Sequence, residues 1–252
     1  VARHPDRPQC QDVIEHLIDD YLSLGGDRLF GNDNALTGGV GYFRGKKVLL
    51  LGIDKGKNTN DRILKNFGMA RPEGYRKAIR LMELANRFNL PVLSFIDTAG
   101  AYPGKGAEER GQAQAIASCV DACLKLNTPM ISTILGEGGS GGAIALTSGN
   151  VILMFEHSIF SVISPEGCAS ILWRDASKAN EAATALKLTA KDMKKLNIID
   201  EIIQEPLGGA HRDYDKSLLF LGDSIEFQLN ELLKLDPQEL KIIKQNKYLK
   251  IT

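Results

Sequence analysis

A glycine-rich segment, GEGGSGGA at residues 136–143, is the part of the sequence most suggestive of chemistry. Its spacing Gly136-x-Gly138-x-x-Gly141 matches the dinucleotide-binding fingerprint. Glu156 lies about 20 residues further on, where a ribose-binding acid is expected. This interpretation predicts an oxidoreductase that binds NAD. A Walker A loop is excluded, because no Gly-Lys-Ser/Thr follows the glycines.

The same segment also fits two quite different interpretations. Gly138-x-Ser140-x-Gly142 matches the nucleophile elbow of α/β-hydrolases, with His157 and His211 later in the chain, and this predicts a serine hydrolase. A serine among glycines, however, more often serves turn geometry than catalysis. Alternatively, the glycines only allow a helix to pack closely against a strand, as in a scaffold protein without catalytic groups.

A further interpretation of the segment needs main-chain groups only. A strand that leads directly into a helix leaves the first amides of the helix unpaired, and the helix dipole adds positive potential there. Because glycine has no Cβ, a reacting carbonyl can approach these amides closely. Such an oxyanion hole contributes roughly 3–4 kcal/mol of transition-state stabilisation per donor.

A second loop, DTAGAYPGKGAEERGQ, has the same design and follows the strand PVLSFID. Asp97 and Thr98 are candidates to brace the loop, Gly100 and Gly104 give it backbone freedom, and Tyr102 offers a flat wall. Two strand–glycine–helix corners predict a site built from main-chain amides. Neither glycine loop contains histidine, so the usual acid–base groups are scarce.

A basic stretch from Lys55 to Lys65 is followed by Arg71, Arg76, Lys77 and Arg80. Solvated charges on helices and loops are the default interpretation. The alternative is a patch that binds phosphates or a carboxylate, because the arginine fork suits planar anions.

Strands alternate with helices along the chain, which indicates an α/β fold. Paired strands between helices predict repeated strand-strand-helix units in one domain, residues 1–252, rather than a doubly wound sheet. Periodicity, glycines and prolines predict these elements in order: an arm at 1–10, a helix from Gln11 to about Leu24, a hairpin GGVGYF/KVLLLGID, a helix from Glu73 to Phe88, the strand PVLSFID, a helix from Ala107 to Leu126, the strand PMISTIL, a helix beginning with AIALTS, the strands VILMFE and IFSVI, a helix starting at Ser164-Pro165, the strand IDEII and two C-terminal helices.

Charge, apolar runs and cysteine spacing argue against several classes of function. The 31 basic and 31 acidic side chains give a formal net charge of +0, so bulk charge supports neither a nucleic-acid nor a membrane-surface role. No apolar run is long enough to span a bilayer. The spacing of the four cysteines offers no zinc site and predicts buried thiols in a reducing, intracellular compartment. Because the chain opens with Val1 and shows no signal peptide, we expect that residues are missing upstream.

Resemblance to a known family is spread over many segments, in order from Ala2 to about Asp213. The sequence closely resembles the carboxyltransferase alpha subunit of bacterial and plastid acetyl-CoA carboxylase in ARHPDRP, GDR, NFGM-x-x-PEGYRKAIRLM, FIDTAGAYPGKGAEERGQ, GEGGSGGAIAL, SVISPEGCASILW and EPLGGAHRD. The resemblance implies a crotonase/ClpP-like α/β fold. Ala99 stands where many members have proline, and the N-terminal helical region typical of the family is absent.

The resemblance also implies partners and a reaction. A beta subunit with a zinc ribbon would hold acetyl-CoA in an alpha2beta2 heterotetramer, while this chain, without metal, faces carboxybiotin on the biotin carboxyl carrier protein. Biotin carboxylase would complete the complex, which makes malonyl-CoA for fatty acid synthesis. We expect a cytoplasmic or plastid stromal location and no membrane partner. Another crotonase-fold acyl-CoA enzyme, or a hydrolase using Ser140, is the alternative.

Site residues follow from the same resemblance. The alpha-side oxyanion hole of the family corresponds to Gly141 and Gly142, which are the expected catalytic residues. We expect substrate contacts from residues of both glycine loops: Gly100, Ala101, Tyr102, Gly138 and Gly139.

Overall fold

A computed structural model describes residues 1–251, in which a mixed sheet of eight strands is flanked by helices. The order in the sheet is β1-β2-β3-β4-β5-β6-β8, and β7 pairs with the end of β5. Strands β1, β2 and β3 pair antiparallel, and the remaining pairs are parallel. The strands are β1 (Ile18–Ser23), β2 (Leu36–Phe43), β3 (Lys46–Ile53), β4 (Val92–Thr98), β5 (Met130–Gly139), β6 (Val151–Phe155), β7 (Ile159–Ser161) and β8 (Glu201–Ile203).

Helices cover both faces of this sheet. They are α1 (Cys10–Leu17), α2 (Thr59–Leu64), α3 (Pro72–Phe88), α4 (Lys105–Glu109), α5 (Gln112–Lys125), α6 (Ser140–Thr147), α7 (Pro165–Trp173), α8 (Ala179–Leu186), α9 (Ala190–Lys195), α10 (Tyr214–Leu232) and α11 (Pro237–Leu249). None of the helices within residues 1–251 combines the length and apolar character that crossing a bilayer would require.

Burial on both faces explains why the central strands are continuous apolar runs. Leu49 and Leu51 of β3 pack with α3 and α5, whereas Val48 and Leu50 pack with α1 and α10 on the opposite face. Strand β5 is buried at every position. This is the pattern of a parallel sheet covered by helices on both sides, and it holds the carboxyl ends of β3, β4 and β5 at one edge.

The predicted helix from Gln11 to about Leu24 is wrong in its second half. Only α1 is helical, and the chain turns at Ile18 into β1, which pairs with β2 from Ile18↔Phe43 to Ser23↔Gly39. A helical stripe through Val13 and Leu17 does not exclude a strand after it, because pairing with a distant strand can override local preference. Such pairing cannot be read from residues 11–24 alone.

Two further boundaries differ from the prediction. The helix expected over residues 107–126 is divided into α4 and α5 at Gly111, whose φ of 81° lies in the left-handed region. The loop expected between PMISTIL and AIALTS does not exist, because β5 continues through Gly139 and α6 begins at Ser140. The hairpin, the helix to Phe88 and the helix start at Pro165, capped by Ser164, are confirmed.

Candidate active site at the end of strand β5

A cleft of about 440 Å³ lies at the carboxyl end of β5. Parallel sheets commonly bind ligands at this edge, and the volume falls within the usual range for small-molecule sites, about 300–1,000 Å³. Its lining comes from the arm, both corners and the segment before α7: Arg3, Ala99, Glu137, Gly138, Gly139, Ser140, Ile159, Ser161, Val162, Ile163, Ser164, Pro165 and Glu166.

The corner between β5 and α6 offers amide groups beside this cleft. No side chain among the described residues caps α6, so the amides of its first turn, which include Gly141 and Gly142, are not used in capping. Ser140, the first residue of the helix, has φ +53° and lines the cleft. The corner therefore meets the main-chain requirement for stabilising an anion.

The glycines of this corner are required for different reasons. A Cβ on Gly142 would lie 2.7 Å from the carbonyl carbon of Gly100 and 2.8 Å from the amide nitrogen of Ala101, so the backbones of the two corners touch. A Cβ on Gly141 would meet only the side chain of Ile116, at 3.6 Å. Close packing thus explains Gly142, whereas packing leaves room for a side chain at Gly141.

The corner after β4 is held by hydrogen bonds within the protein. The Gly100 amide donates to Thr98 Oγ1 at 3.0 Å, and that hydroxyl lies 2.6 Å from the Gly68 carbonyl oxygen. The amide of Tyr102 donates to the carbonyl of Ala70 at 3.0 Å. The prediction that Thr98 braces this loop is confirmed, and two of its amides are used internally.

The predicted site residues fall into two groups. Gly138 and Gly139 line the cleft, and Gly141 and Gly142 directly follow the lining residue Ser140. The other group, Gly100, Ala101 and Tyr102, is absent from the lining, which takes only Ala99 from this loop. The Tyr102 ring instead lies under the Arg71 guanidinium, 4.5 Å from the ring centroid.

A group of charged side chains at the cleft was not predicted from the sequence. Lys55 Nζ lies 2.6 Å from Glu137 Oε2 and 3.1 Å from Asp97 Oδ1, and Arg3 Nε lies 2.8 Å from Glu137 Oε1. Asp97 also accepts a hydrogen bond from the Glu137 amide at 2.8 Å, which ties the two corners together. The available signal was Glu137 itself, the one charged residue in the apolar strand β5.

Arg3 connects opposite sides of the cleft. It reaches Glu137 on β5 and, at 3.3 Å, Glu166 in the first turn of α7. Burial alone would lower the pKa of Arg3, but Glu137 and then Glu166 raise it overall. A hydrogen bond from its own backbone amide, and then the charge of Arg3, lower the pKa of Glu166. Arg3 and Glu166 are therefore charged near neutral pH.

The side chains that the hydrolase and NAD interpretations require lie outside the cleft. No histidine within residues 1–251 lines the cleft, and His211 stacks on His4 with ring centroids 3.9 Å apart. Burial, and then His4, lower the pKa of His211. Glu156, the candidate ribose acid, accepts from the Glu205 amide at 3.4 Å and is outside the lining. Ser140 thus has no histidine base at the cleft in the described part of the chain.

Cations of the basic stretch pair with groups of the protein itself and do not form an open patch for anions. Lys65 pairs with Asp54 at 2.8 Å, and Lys57 pairs with Asp12. Lys77 is only 2% exposed, and burial lowers its pKa to about 8. Arg80 donates to backbone carbonyls of residues 24–26. These cations are therefore engaged with partners within the protein, although Lys57 stays half exposed.

The cysteines and possible metal ligands lie in several parts of the chain. All four cysteines are buried, as predicted. No group of three His, Cys, Asp or Glu side chains with the geometry of a metal site occurs between residues 1 and 251.

Known proteins with similar sequences share one description. Residues 1–252 match the family described as acetyl co-enzyme A carboxylase carboxyltransferase-like. A relative from Caulobacter vibrioides, "Acetyl-coenzyme A carboxylase carboxyl transferase subunit alpha", is 57% identical over 241 residues, which cover 96% of this chain and 75% of that protein. A relative of the same name from Rhodospirillum centenum is 54% identical over 251 residues, covering 100% and 79%.

Solved structures with low sequence identity support the fold. The transcarboxylase 12S structure superposes with a TM-score of 0.71 at 18% identity, over 91% of this chain and 43% of that chain. A Pseudomonas malonate decarboxylase hetero-tetramer in complex with coenzyme A gives 0.70 at 14% identity, over 85% and 87%. The predicted crotonase-like α/β fold is confirmed by these neighbours. The chain belongs to the acetyl-CoA carboxylase carboxyltransferase family, with the alpha subunits as its relatives.

Proposed function

We propose that this chain, together with a beta subunit, transfers the carboxyl group of carboxybiotin to acetyl-CoA and so makes malonyl-CoA for fatty acid synthesis. The observation that carries the proposal is the family match over residues 1–252. The position of the cleft adds to it, because the cleft lies where β5 runs directly into an uncapped helix. We take residues 1–252 to act as one carboxyltransferase domain.

The chain's part in the reaction is electrostatic. Carboxybiotin supplies the carboxyl group, and its ureido oxygen gains negative charge as that group leaves. We propose that the amides of Gly141 and Gly142 donate to this oxygen; their position in the first turn of α6, uncapped by side chains of residues 1–251, supports this role. Gly138 and Gly139 form the adjoining wall of the cleft. A site of this kind needs no histidine in this chain.

The cleft suits a compact, partly polar group. Its wall combines main-chain atoms at Gly138 and Gly139 with Ile159, Val162 and Ile163, and its charged groups are Arg3, Glu137 and Glu166. Sites for small molecules usually combine an apolar wall with a few polar groups that fix orientation. We propose that Gly100, Ala101 and Tyr102 contact substrate at the subunit boundary, and that Gly100 and Ala101, whose backbone lies against Gly142, also support the corner.

Partners complete the active site in this proposal. The name of the relatives, subunit alpha, supports a beta partner. We propose that this partner carries the zinc ribbon and acetyl-CoA in an alpha2beta2 heterotetramer. The biotin carboxyl carrier protein would deliver carboxybiotin, and biotin carboxylase would charge it. The cytoplasm or plastid stroma stays the predicted location.

The test is reconstitution with a candidate beta subunit. Malonyl-CoA formation is measured for this chain alone, for beta alone and for the mixture, with the mass of the complex determined by light scattering. We expect turnover only in the mixture, at the mass of two chains of each kind. Robust turnover by this chain alone would refute the division of labour.

Two binding assays address the rival functions. Isothermal titration with NAD should show no binding, and a fluorophosphonate probe should leave Ser140 unlabelled. Stoichiometric NAD binding, or labelling at Ser140 with no malonyl-CoA formation in the mixture, would replace the proposal.

A further inference from the structure

Three neighbouring parallel strands each place one charged side chain at the same edge of the sheet. Lys55 follows β3, Asp97 lies near the end of β4, and Glu137 lies near the end of β5. The lysine ammonium contacts both carboxylates, at 3.1 Å and 2.6 Å. Because Asp97 also binds the Glu137 amide, the three residues form one connected group, which we call the Lys55 bridge.

The Lys55 bridge lies beside the proposed anion site and away from water. The side chains of Asp97 and Glu137 are 10% and 9% exposed, and that of Lys55 is 21% exposed. Glu137 lines the cleft together with Gly138, Gly139 and Ser140. A charge in the bridge is therefore weakly screened at the place where α6 presents its amides.

Two negative charges here would oppose the chemistry. An oxyanion hole works by presenting positive potential to an oxygen that gains negative charge, and nearby carboxylates reduce that potential. Lys55 contacts both carboxylates, and its single positive charge offsets one of the two negative charges. Arg3 offsets the other, but its side chain is 46% exposed and it also pairs with Glu166. Lys55 is therefore the less exposed of the two cations that offset these negative charges.

We propose that Lys55 is a positioning residue for carboxyl transfer, which together with Arg3 offsets the charges of Asp97 and Glu137 so that the corner at Gly141 and Gly142 stays favourable to an anion. The proposal rests on the proposed function. Its chemistry is purely electrostatic, because Lys55 acts through the two carboxylates and transfers no proton.

Charged groups around the bridge belong to other pairs. Asp54, which directly precedes Lys55, pairs with Lys65, which also contacts Asp61 at 3.2 Å. On the cleft side, Arg3 contacts Glu137 and also Glu166. Next to Lys55 in the chain and around α2, the charged groups Asp54, Asp61 and Lys65 pair with one another.

The first measurement compares charge with hydrogen bonding at position 55 in the reconstituted complex. Lys55→Gln removes the charge but keeps amide donors, Lys55→Met removes both, and Lys55→Arg keeps the charge. We expect kcat/KM to fall roughly 10- to 100-fold in the first two and to stay close to the parent in Lys55→Arg, the order that one nearby unit charge produces. Lys57→Met is the matched control, because Lys57 pairs with Asp12 away from the cleft.

The second measurement is the pH profile, expressed as the ratio of variant to parent turnover. Without Lys55, two close carboxylates repel each other, and one takes up a proton as the pH falls. The ratio for Lys55→Gln should therefore be highest at low pH and fall as pH rises. Adding Glu137→Gln to Lys55→Gln removes one anion as well as the cation, and should restore turnover and flatten the ratio.

A merely structural role for Lys55 predicts a different result. Turnover would then fall by the same factor at every pH, together with the melting temperature, and Glu137→Gln would not restore it. That outcome, or parental turnover in Lys55→Gln with an active parent complex, overturns the inference and leaves the proposed function intact. A parent complex that makes no malonyl-CoA refutes both. If Lys55→Met does not assemble, the Gln and Arg variants decide the question.

Discussion

The corner between β5 and α6 and the corner between β4 and α4 share the order strand, glycines, helix, yet they do different work. The first opens into the cleft and leaves the first turn of its helix uncapped by side chains of the described residues. The second uses its amides internally, with Gly100 bonded to Thr98 and Tyr102 to Ala70. It contributes only Ala99 to the cleft lining.

This difference shows that a glycine corner is a site only when its amides lack partners. In the second corner, Thr98 Oγ1 accepts from the Gly100 amide, and the side-chain amide of Gln112 donates to the Tyr102 carbonyl at 3.0 Å. That corner then forms the surface on which Gly142 packs. Gly142 of the first corner is thereby packed in place while the first-turn amides of α6 stay uncapped by side chains of the described residues, which is the arrangement that preorganised stabilisation requires.

The largest effect is expected from Gly142→Val, which forces the two corners apart. Its Cβ would lie 2.7 Å from backbone of the second corner, a contact that no side-chain rotation relieves. We expect kcat in the reconstituted complex to fall by at least 10²-fold, the loss seen when an oxyanion donor is removed, together with a lower melting temperature.

Gly141→Ala is the matched control for this substitution. Its Cβ would meet only the Ile116 side chain at 3.6 Å, so the free energy of unfolding should stay within about 1 kcal/mol of the parent value. Equal stability and turnover in Gly142→Val would show that the corners do not depend on this contact.

Asp97→Ala should have the next largest effect, because it removes the tie between the corners. The buried Glu137 amide would lose its acceptor and Lys55 one of its partners. We expect a loss of about 2–3 kcal/mol in the free energy of unfolding, measured by urea denaturation. Asp121→Ala, at an exposed pair with Lys125, should change it by no more than about 1 kcal/mol. Equal losses in both variants would mean that the tie contributes nothing.

Thr98→Val tests whether the second corner depends on its internal hydrogen bonds. The substitution keeps the shape of the side chain but leaves the Gly100 amide without its acceptor. A loss of about 1–2 kcal/mol is expected. Thr98→Ser keeps the hydroxyl and should lie closer to the parent. The same stability in valine and serine variants would contradict the internal role assigned to this hydroxyl.

Ser140→Ala should have the smallest effect on turnover. Ser140 sits at φ +53° on the cleft, but no histidine of residues 1–251 lines that cleft to act as its base. Most malonyl-CoA formation should therefore survive, and Ser140→Gly should also be active because glycine accepts this backbone conformation readily. An inactive alanine variant that still folds and assembles would favour the hydrolase mechanism.

Local sequence patterns predicted most of the elements near the site. The hairpin of β2 and β3, the strand β4 and the capped start of α7 follow from short-range signals such as short apolar runs bounded by turn residues and a Ser-Pro start. The strand β1 was missed because its identity depends on pairing with β2, about 20 residues away in the chain. The glycines of the β5 corner were assigned to a loop because glycine marks turns more often than strand ends.

For this protein, the sequence by itself determined the α/β class, the family resemblance and the two glycine corners, because each depends on residue types within short segments and on the order of those segments along the chain. Only the tertiary structure decided which corner opens into a cleft, since that depends on the hydrogen bonds of the other corner to Gly68 and Ala70, which come from a distant part of the chain. It also decided that Lys55, Asp97 and Glu137 form one group. They are separated by 40 residues or more along the chain, and only the parallel order of β3, β4 and β5 brings their charges together.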